Sequence, residues 1–97
     1  MSNYKITEYT RKKAKLHGVI VKPSENPKKK IDVFDKDGEK LASVGVVGYK
    51  DYPTYIQTIG KRGADERRRL YRLRHRNDPM RDNGERTPAF FAWNLLW

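Results

Sequence analysis

The closing segment TPAFFAWNLLW, residues 87–97, constrains the fold more than any other stretch of this sequence. It carries no charged side chain, although 35% of the residues in the whole chain are charged. Thr87 followed by Pro88 is typical of a helix N-cap and a first helical position, so a short final helix is predicted. Apolar side chains would cover most of the circumference of that helix, and burial on more than one side is therefore expected.

This final helix has three possible placements. It could complete the core of the domain, dock into a neighbouring protein or lie at a membrane interface, and completion of the core is favoured. The charged residues just before it, from Arg81 to Arg86, are of mixed sign, which makes the membrane interface the least favoured placement. One helical face would carry Phe90, Trp93, Leu96 and Trp97, and the adjoining face would carry Phe91 and Leu95. The residues predicted to form the core or a docking surface are Tyr49, Tyr52, Tyr71, Phe90, Phe91, Trp93, Leu96 and Trp97.

Length and composition allow one small domain with a small core. The chain has 97 residues, of which 36% are hydrophobic, and its mean hydropathy is −0.99. A domain of this size is marginally stable alone, so binding to a partner is expected. It has no cysteine, and its two histidines lack ligand spacing, so no disulfide, metal site or cofactor is predicted. Without a signal-type apolar run or a membrane-spanning stretch, we expect a protein that stays in the cell or is packaged there, with no membrane partner.

The net charge of +10 is concentrated in two regions of different chemistry. Residues 1–30 carry nine basic and two acidic side chains, and nearly all the basic ones are lysine. Residues 61–86 carry ten basic and five acidic side chains, and nearly all the basic ones are arginine. Lysine is a hydrated point charge, whereas arginine forms bidentate pairs and stacks on rings, so the two regions need not bind the same partner.

We assign residues 1–30 to an extended basic arm and residues 31–97 to a small α+β domain. Within the arm, PSENPKKK predicts a loop because it contains two prolines. The short apolar run Leu16–Val21 fits either a strand or a segment lying on a partner. The arm lysines predicted to contact a partner protein or a DNA or RNA phosphate backbone are Lys12, Lys13, Lys15, Lys28, Lys29 and Lys30.

The middle of the chain predicts an antiparallel β-hairpin. IDVFD and KLASVGVVGY have strand character, and Asp37-Gly38 between them is a turn signal. Gly45 and Gly48 in the second strand indicate a bulge or a close backbone contact. The following GYKDYPTYIQTIGKRG is interpreted as an aromatic-rich connector. The expected fold is a hairpin or small sheet packed against two short C-terminal helices.

An arginine-rich helix is predicted from Ala64 or Asp65 to about Asn77. Leu70, Tyr71 and Leu73 would form a narrow apolar stripe that docks on the hairpin. The arginines could face phosphates or pair with carboxylates, and the sequence leaves both interpretations open. The candidate binding residues on this helix are Arg67, Arg68, Arg69, Arg72, Arg74 and Arg76.

Catalytic patterns are missing from the sequence. His75 lies between two arginines, where a packing or hydrogen-bonding role is favoured over that of a general base. The acids from Asp32 to Glu39 do not fit the spacing of a calcium-binding loop. Neither a glycine-rich phosphate-binding motif nor a base-reading module is present. We therefore predict no catalytic residues, no small-molecule substrate and no enzymatic activity.

The second half resembles small basic proteins encoded by large double-stranded DNA viruses of eukaryotes and by some cyanobacterial phages. The motifs that carry this resemblance are GYKDY from Gly48, the helical stretch YRLRHR from Tyr71, and the final segment that closes on LLW. The resemblance covers roughly residues 30–97 and implies a viral origin, without a firmly assigned activity. Pro53 departs from the pattern, which usually has threonine there.

Together, the charge pattern and the resemblance predict a non-enzymatic structural protein. We expect a minor capsid or other virion-associated protein, located in the virion and made in the host cytoplasm or nucleus. Its partners would be other virion or capsid proteins, bound through the basic arm and the aromatic C-terminal half. The alternative is an accessory protein that binds nucleic acid non-specifically through the arginine helix.

Overall fold

The computed structural model describes residues 2–97 and confirms the α+β class. The elements are α1 (Glu8–Leu16), β1 (Ile20–Pro23), β2 (Lys29–Phe34), β3 (Lys40–Val46), α2 (Tyr52–His75), β4 (Arg81–Asp82), β5 (Glu85–Arg86) and α3 (Pro88–Phe91). Three strands form an antiparallel sheet in the order β1-β2-β3, and the short strands β4 and β5 form a separate pair. Helix α3 continues directly into a π-helical segment, residues Ala92–Leu96.

The predicted hairpin is confirmed as strands β2 and β3. Ile31 faces Val44 across the ladder and Val33 faces Ala42, and all four side chains are buried. The carboxylate of Asp35 accepts hydrogen bonds from two backbone amides of the turn. Gly38 has a φ of 86°, the positive value that the turn requires.

The expectation of an extended arm is corrected, because residues 2–30 include a helix and a strand of the sheet. Residues 8–16 form helix α1, since the hydroxyl of Thr7 caps the first turn by accepting a hydrogen bond from the Thr10 amide. Strand β1 then pairs with β2 and becomes the third strand of the sheet. Ala14 and Val21 join the same apolar core as the C-terminal segment, which explains why this part of the chain is ordered on the sheet.

Helix α2 begins at Tyr52, a dozen residues before the predicted start, so the supposed connector is helical. Asp51 is its N-cap and accepts a hydrogen bond from the amide of Thr54. Pro53 lies in the first turn, where its missing N–H costs nothing. Gly60, with φ 81° and ψ 170°, is not helical and divides α2 at a kink into two helical halves.

The predicted apolar stripe of the arginine helix is also wrong in part. Leu70 and Leu73 are 37% and 50% exposed, and they do not dock on the hairpin. The helix instead turns Ala64 and Tyr71 inward, with arginines on either side lying over aromatic rings. Guanidinium groups stack well on rings, which a count of apolar residues does not anticipate.

The C-terminal segment completes the core, as favoured from the sequence. The hydroxyl of Thr87 caps α3 by accepting a hydrogen bond from the Phe90 amide. Phe91, Leu95 and Leu96 are almost completely buried, whereas the other three aromatic side chains of the segment are partly exposed. The predicted helical faces are therefore corrected. The π-helical turn widens the angular spacing of the side chains and brings Phe91, Leu95 and Leu96 to one buried side.

Helix α1 ties this segment down through hydrogen bonds to its last carbonyl groups. The buried hydroxyl of Thr10 donates to the carbonyl of Leu95 at 2.8 Å, and the hydroxyl of Tyr9 donates to the carbonyl of Trp97 at 3.0 Å. Within the wide turn, the side-chain amide of Asn94 donates to the carbonyl of Phe90 at 2.9 Å. The last carbonyl groups of a helix have no partner within it, and here the hydroxyls of Thr10 and Tyr9 supply donors to them.

Candidate functional site

A cleft of about 480 Å³ lies between helix α2, the C-terminal segment and the end of strand β3. It is the most promising site because aromatic and basic side chains converge there, and none of its lining residues is acidic. Its aromatic and basic lining residues are Tyr49, Tyr55, Tyr71, Trp97, Lys30, Lys50, Arg74 and His75. Residues of GYKDY, of YRLRHR and of the final segment that closes on LLW therefore meet at one place.

A stack of rings forms one wall of the cleft. Tyr71 of α2 lies parallel to Trp97, with their centroids 4.3 Å apart and an interplanar angle of 7°. His75, one helical turn further, lies 4.3 Å from Tyr71 at an angle of 33°. Tyr55, from the first half of α2, approaches Trp97 at 6.0 Å. The stack joins both halves of the kinked helix to the C-terminal segment.

The turn that follows α2 holds the imidazole of His75, at one end of the stack, through Asp78. Nδ1 of His75 lies 2.7 Å from a carboxylate oxygen of Asp78. Burial, with the nearby carboxylate of Asp78, raises the pKa of the Tyr71 hydroxyl above its ordinary value of 10.0. Tyr71 therefore stays neutral at physiological pH and offers the cleft a ring and a hydroxyl, without a negative charge.

Two cations at the cleft have no acidic partner among residues 2–97. They are Lys50, which precedes the N-cap of α2, and Arg74, near the end of the same helix. The ammonium of Lys50 lies 5.9 Å from the ring centroid of Tyr55. The cleft therefore has a positive potential that is not neutralised within the fold.

Lys30 has a different role from Lys50, the other lysine that lines the cleft. It is only 4% exposed, and its ammonium donates to the carboxylate of Asp51 at 3.0 Å. Asp51 is 1% exposed and also accepts a hydrogen bond of 2.6 Å from the hydroxyl of Tyr4. The network connects β2, the N-terminal residues and the start of α2, so it fixes the orientation of the helix that carries the stack.

Opposing effects determine the charge of Asp51. Burial works to raise its pKa, but hydrogen bonds from Tyr4 and Thr54 and the charge of Lys30 outweigh burial and lower it. For Tyr4 the same network acts in the other direction, since burial and the Asp51 carboxylate raise the pKa of its hydroxyl. At neutral pH the site thus contains an ionised aspartate, which pairs with Lys30, and a neutral tyrosine.

The predicted arginines divide into three sets. The guanidinium carbon of Arg68 lies 4.1 Å from the ring centroid of Tyr52, and Arg67 and Arg72 lie similarly over Tyr55 and Trp93. Arg69 pairs with Glu66 at 2.7 Å on the exposed side of the helix. Arg74 and Arg76 are exposed and have no acidic partner in the described chain.

The predicted lysines remain at the surface with one exception. Helix α1 and the loop before β2 expose Lys12, Lys15 and Lys28 fully, whereas Lys13 and Lys29 are partly exposed. Lys30 is the exception, and its assignment as a partner contact is corrected because it is buried in the ion pair with Asp51. A single lysine in a basic run gives no sequence signal for such burial.

Among the predicted aromatic residues, Tyr52 is buried and Tyr49 is 75% exposed. Reasoning from the sequence missed Lys50, Tyr55 and His75 as members of one site. The signal that could have located the first two was Asp51 followed by a proline and Thr54, which is an N-cap pattern hidden within the supposed connector.

Within the described part of the chain, no cluster of histidine and acidic side chains has an arrangement suited to a metal ion. None of the helices in residues 2–97 is both long enough and apolar enough to cross a bilayer. Compared with protein-family models, curated proteins and solved structures, the chain has no match.

Proposed function

We propose that this chain is a non-enzymatic structural protein of a virus particle, a minor capsid protein that binds acidic neighbours through its basic surfaces. One observation carries the proposal: cations from both basic regions stay at the surface without acidic partners among residues 2–97. They include Lys12 and Lys15 on α1, Arg74 on α2 and Arg76 directly after α2. Since the apolar tail is largely used for the core, charge is the main property left for recognition.

Quantitative mass spectrometry of purified particles of the encoding virus tests this proposal. The protein is expected at a reproducible copy number, and complete absence from particles would refute the proposal. The double variant Lys12→Gln/Lys15→Gln should reduce incorporation, because it removes two exposed charges of α1. The matched control Lys5→Gln/Lys36→Gln removes two exposed charges elsewhere and should leave incorporation unchanged.

A second candidate function is non-specific binding of nucleic acid. The observation that favours it is the acid-free cleft, where stacked rings lie beside Lys50 and Arg74. Each phosphate that such cations neutralise releases counterions, which favours binding independently of base sequence. Exposed Arg76 extends the same positive surface beyond the cleft.

A filter-binding titration against salt concentration tests the second candidate. On a log–log plot, affinity for duplex DNA should fall with a slope of about −0.9 for each phosphate contacted. The double variant Arg74→Gln/Arg76→Gln should make that slope shallower by about one for each lost contact. A slope near zero for the unmodified protein would remove nucleic acid as a partner.

A further inference from the structure

We propose that the cleft binds an unpaired base and its adjoining phosphate from single-stranded nucleic acid. This inference rests on the second candidate function and adds to it a preferred ligand and a binding site. A non-specific phosphate-binding surface would need only exposed cations, whereas this cleft also has four aromatic side chains around a concave space. Aromatic platforms beside basic grooves are the usual means of holding single strands.

Tyr49 is the ring best suited to stack on an incoming base. It lies at the mouth of the cleft and is 75% exposed, although large aromatic residues rarely remain so free of packing. The residues before it form a tight turn, in which the amide of Tyr49 donates to the carbonyl of Val46 at 3.2 Å. The backbone beneath the ring is therefore held in place while the ring itself remains available.

Other rings of the cleft are preorganised. Tyr71 is fixed between Trp97 and His75, and the Asp51 network anchors the helix that carries it. A base that stacks on Tyr49 would therefore enter a cleft whose remaining aromatic side chains are already held in place. A site that is largely formed before binding loses little conformational entropy when the ligand enters.

The charges of the cleft define the rest of the ligand. Lys50 and Arg74 line the same space, have no acidic partner in the described residues, and would attract the phosphate attached to the base. A neutral planar ligand would not use these charges, and a protein carboxylate would not use the rings. A planar ring joined to an anion uses both, and a single-stranded nucleotide has this chemistry.

Single strands fit the site better than duplexes because both faces of a paired base are already stacked. To present a ring to Tyr49, a duplex would have to flip a base out, which costs a few kcal/mol. The cleft should therefore prefer a flexible single strand over the same sequence in duplex form.

Binding of labelled oligonucleotides, followed by fluorescence anisotropy at low salt, tests the inference. The probes are an oligothymidylate of about 12 nucleotides, its duplex with oligoadenylate, and an abasic strand of the same length. Three proteins are compared: the unmodified chain, Tyr49→Ala and Tyr49→Phe. Because Tyr49 is exposed, neither substitution should disturb the fold, and circular dichroism checks this.

The expected result is tighter binding of oligothymidylate than of duplex or abasic strand. Tyr49→Ala should weaken oligothymidylate binding about 5- to 150-fold, the range that corresponds to the 1–3 kcal/mol of one base–aromatic stack. Tyr49→Phe should bind as the unmodified chain does, since it keeps the ring. Binding of the abasic strand should be the same for all three proteins.

Two results would overturn the inference, and they have different consequences for nucleic-acid binding in general. If the abasic strand binds as tightly as oligothymidylate, or if Tyr49→Ala has no effect, contacts to the backbone explain the binding. The site would then be refuted while non-specific nucleic-acid binding survives. If none of the probes binds at low salt, nucleic-acid binding itself is refuted, and the basic surfaces are left for acidic proteins.

Discussion

Replacing Asp51 with asparagine tests the energetic role of the buried carboxylate, one oxygen of which both pairs with Lys30 and accepts the hydrogen bond from Tyr4. Asparagine is as good an N-cap as aspartate, so Asp51→Asn should leave the hydrogen bond to the Thr54 amide in place. It would nevertheless leave the ammonium of Lys30, which is 4% exposed, without a counter-charge. Removing one partner of a buried pair costs about 3–5 kcal/mol, because the remaining charge stays desolvated.

That cost is large for a chain of this size. Small domains unfold with a total free energy of about 5–15 kcal/mol, so the variant would lose a substantial part of its stability. At about 4 °C or more for each kcal/mol, the melting temperature should fall by roughly 12 °C or more. Thermal unfolding followed by circular dichroism measures this shift.

Two comparison variants make the result interpretable. Glu66→Gln breaks an ion pair whose two side chains are more than half exposed, and it should change the melting temperature little. Lys30→Met combined with Asp51→Asn removes both charges, so the double variant should be more stable than Asp51→Asn alone. If Asp51→Asn melts within a degree or two of Glu66→Gln, the ion pair does not anchor α2, and the reasoning fails.

Three further predictions follow from the packing of the core. Gly45→Ala should lower the free energy of unfolding by about 2 kcal/mol or more, because the added Cβ would lie 2.9 Å from Leu96 Cδ1 on a backbone with a φ of 80°. Urea unfolding measures this change, and an unchanged unfolding midpoint would contradict the contact. Thr10→Val should lower the free energy of unfolding by about 1–3 kcal/mol, because the buried carbonyl of Leu95 would lose its hydrogen-bond donor. Because hydrogen bonds lower the pKa values of Asp51 and Asp32 despite burial, the stability that these two carboxylates contribute should be constant near neutrality and fall as pH decreases from about 3.8 through the lowered values. Unfolding free energies across this range should show a shallower acid decline for Asp51→Asn.

Several features could be predicted from the sequence because their signals are local. Asp37-Gly38 between two apolar runs indicated the hairpin, and Thr87-Pro88 indicated the start of the last helix. The lack of charge in residues 87–97 was enough to predict burial, since a helix that is apolar around most of its circumference has to be covered on more than one side. In each case, neighbouring residues carry the whole signal.

Other features depended on contacts between distant residues. Lys30 looks like one more surface lysine until the fold places Asp51 beside it. The arginines of α2 look like a charged surface until Tyr52, Tyr55 and Trp93 are placed beneath three of them. Local sequence reports neither the partner nor the burial of such groups.

The sequence by itself thus determined that a β-hairpin forms, that the apolar tail is buried and that two basic regions of different chemistry flank the middle. Only the tertiary structure decided that residues 2–30 include a helix and a third strand. It also decided that Tyr71 stacks on Trp97 and that Tyr49 faces an acid-free cleft. The physical reason is that turns and caps are set by a few consecutive residues, whereas stacking, ion pairing and desolvation depend on which distant residues the core brings together.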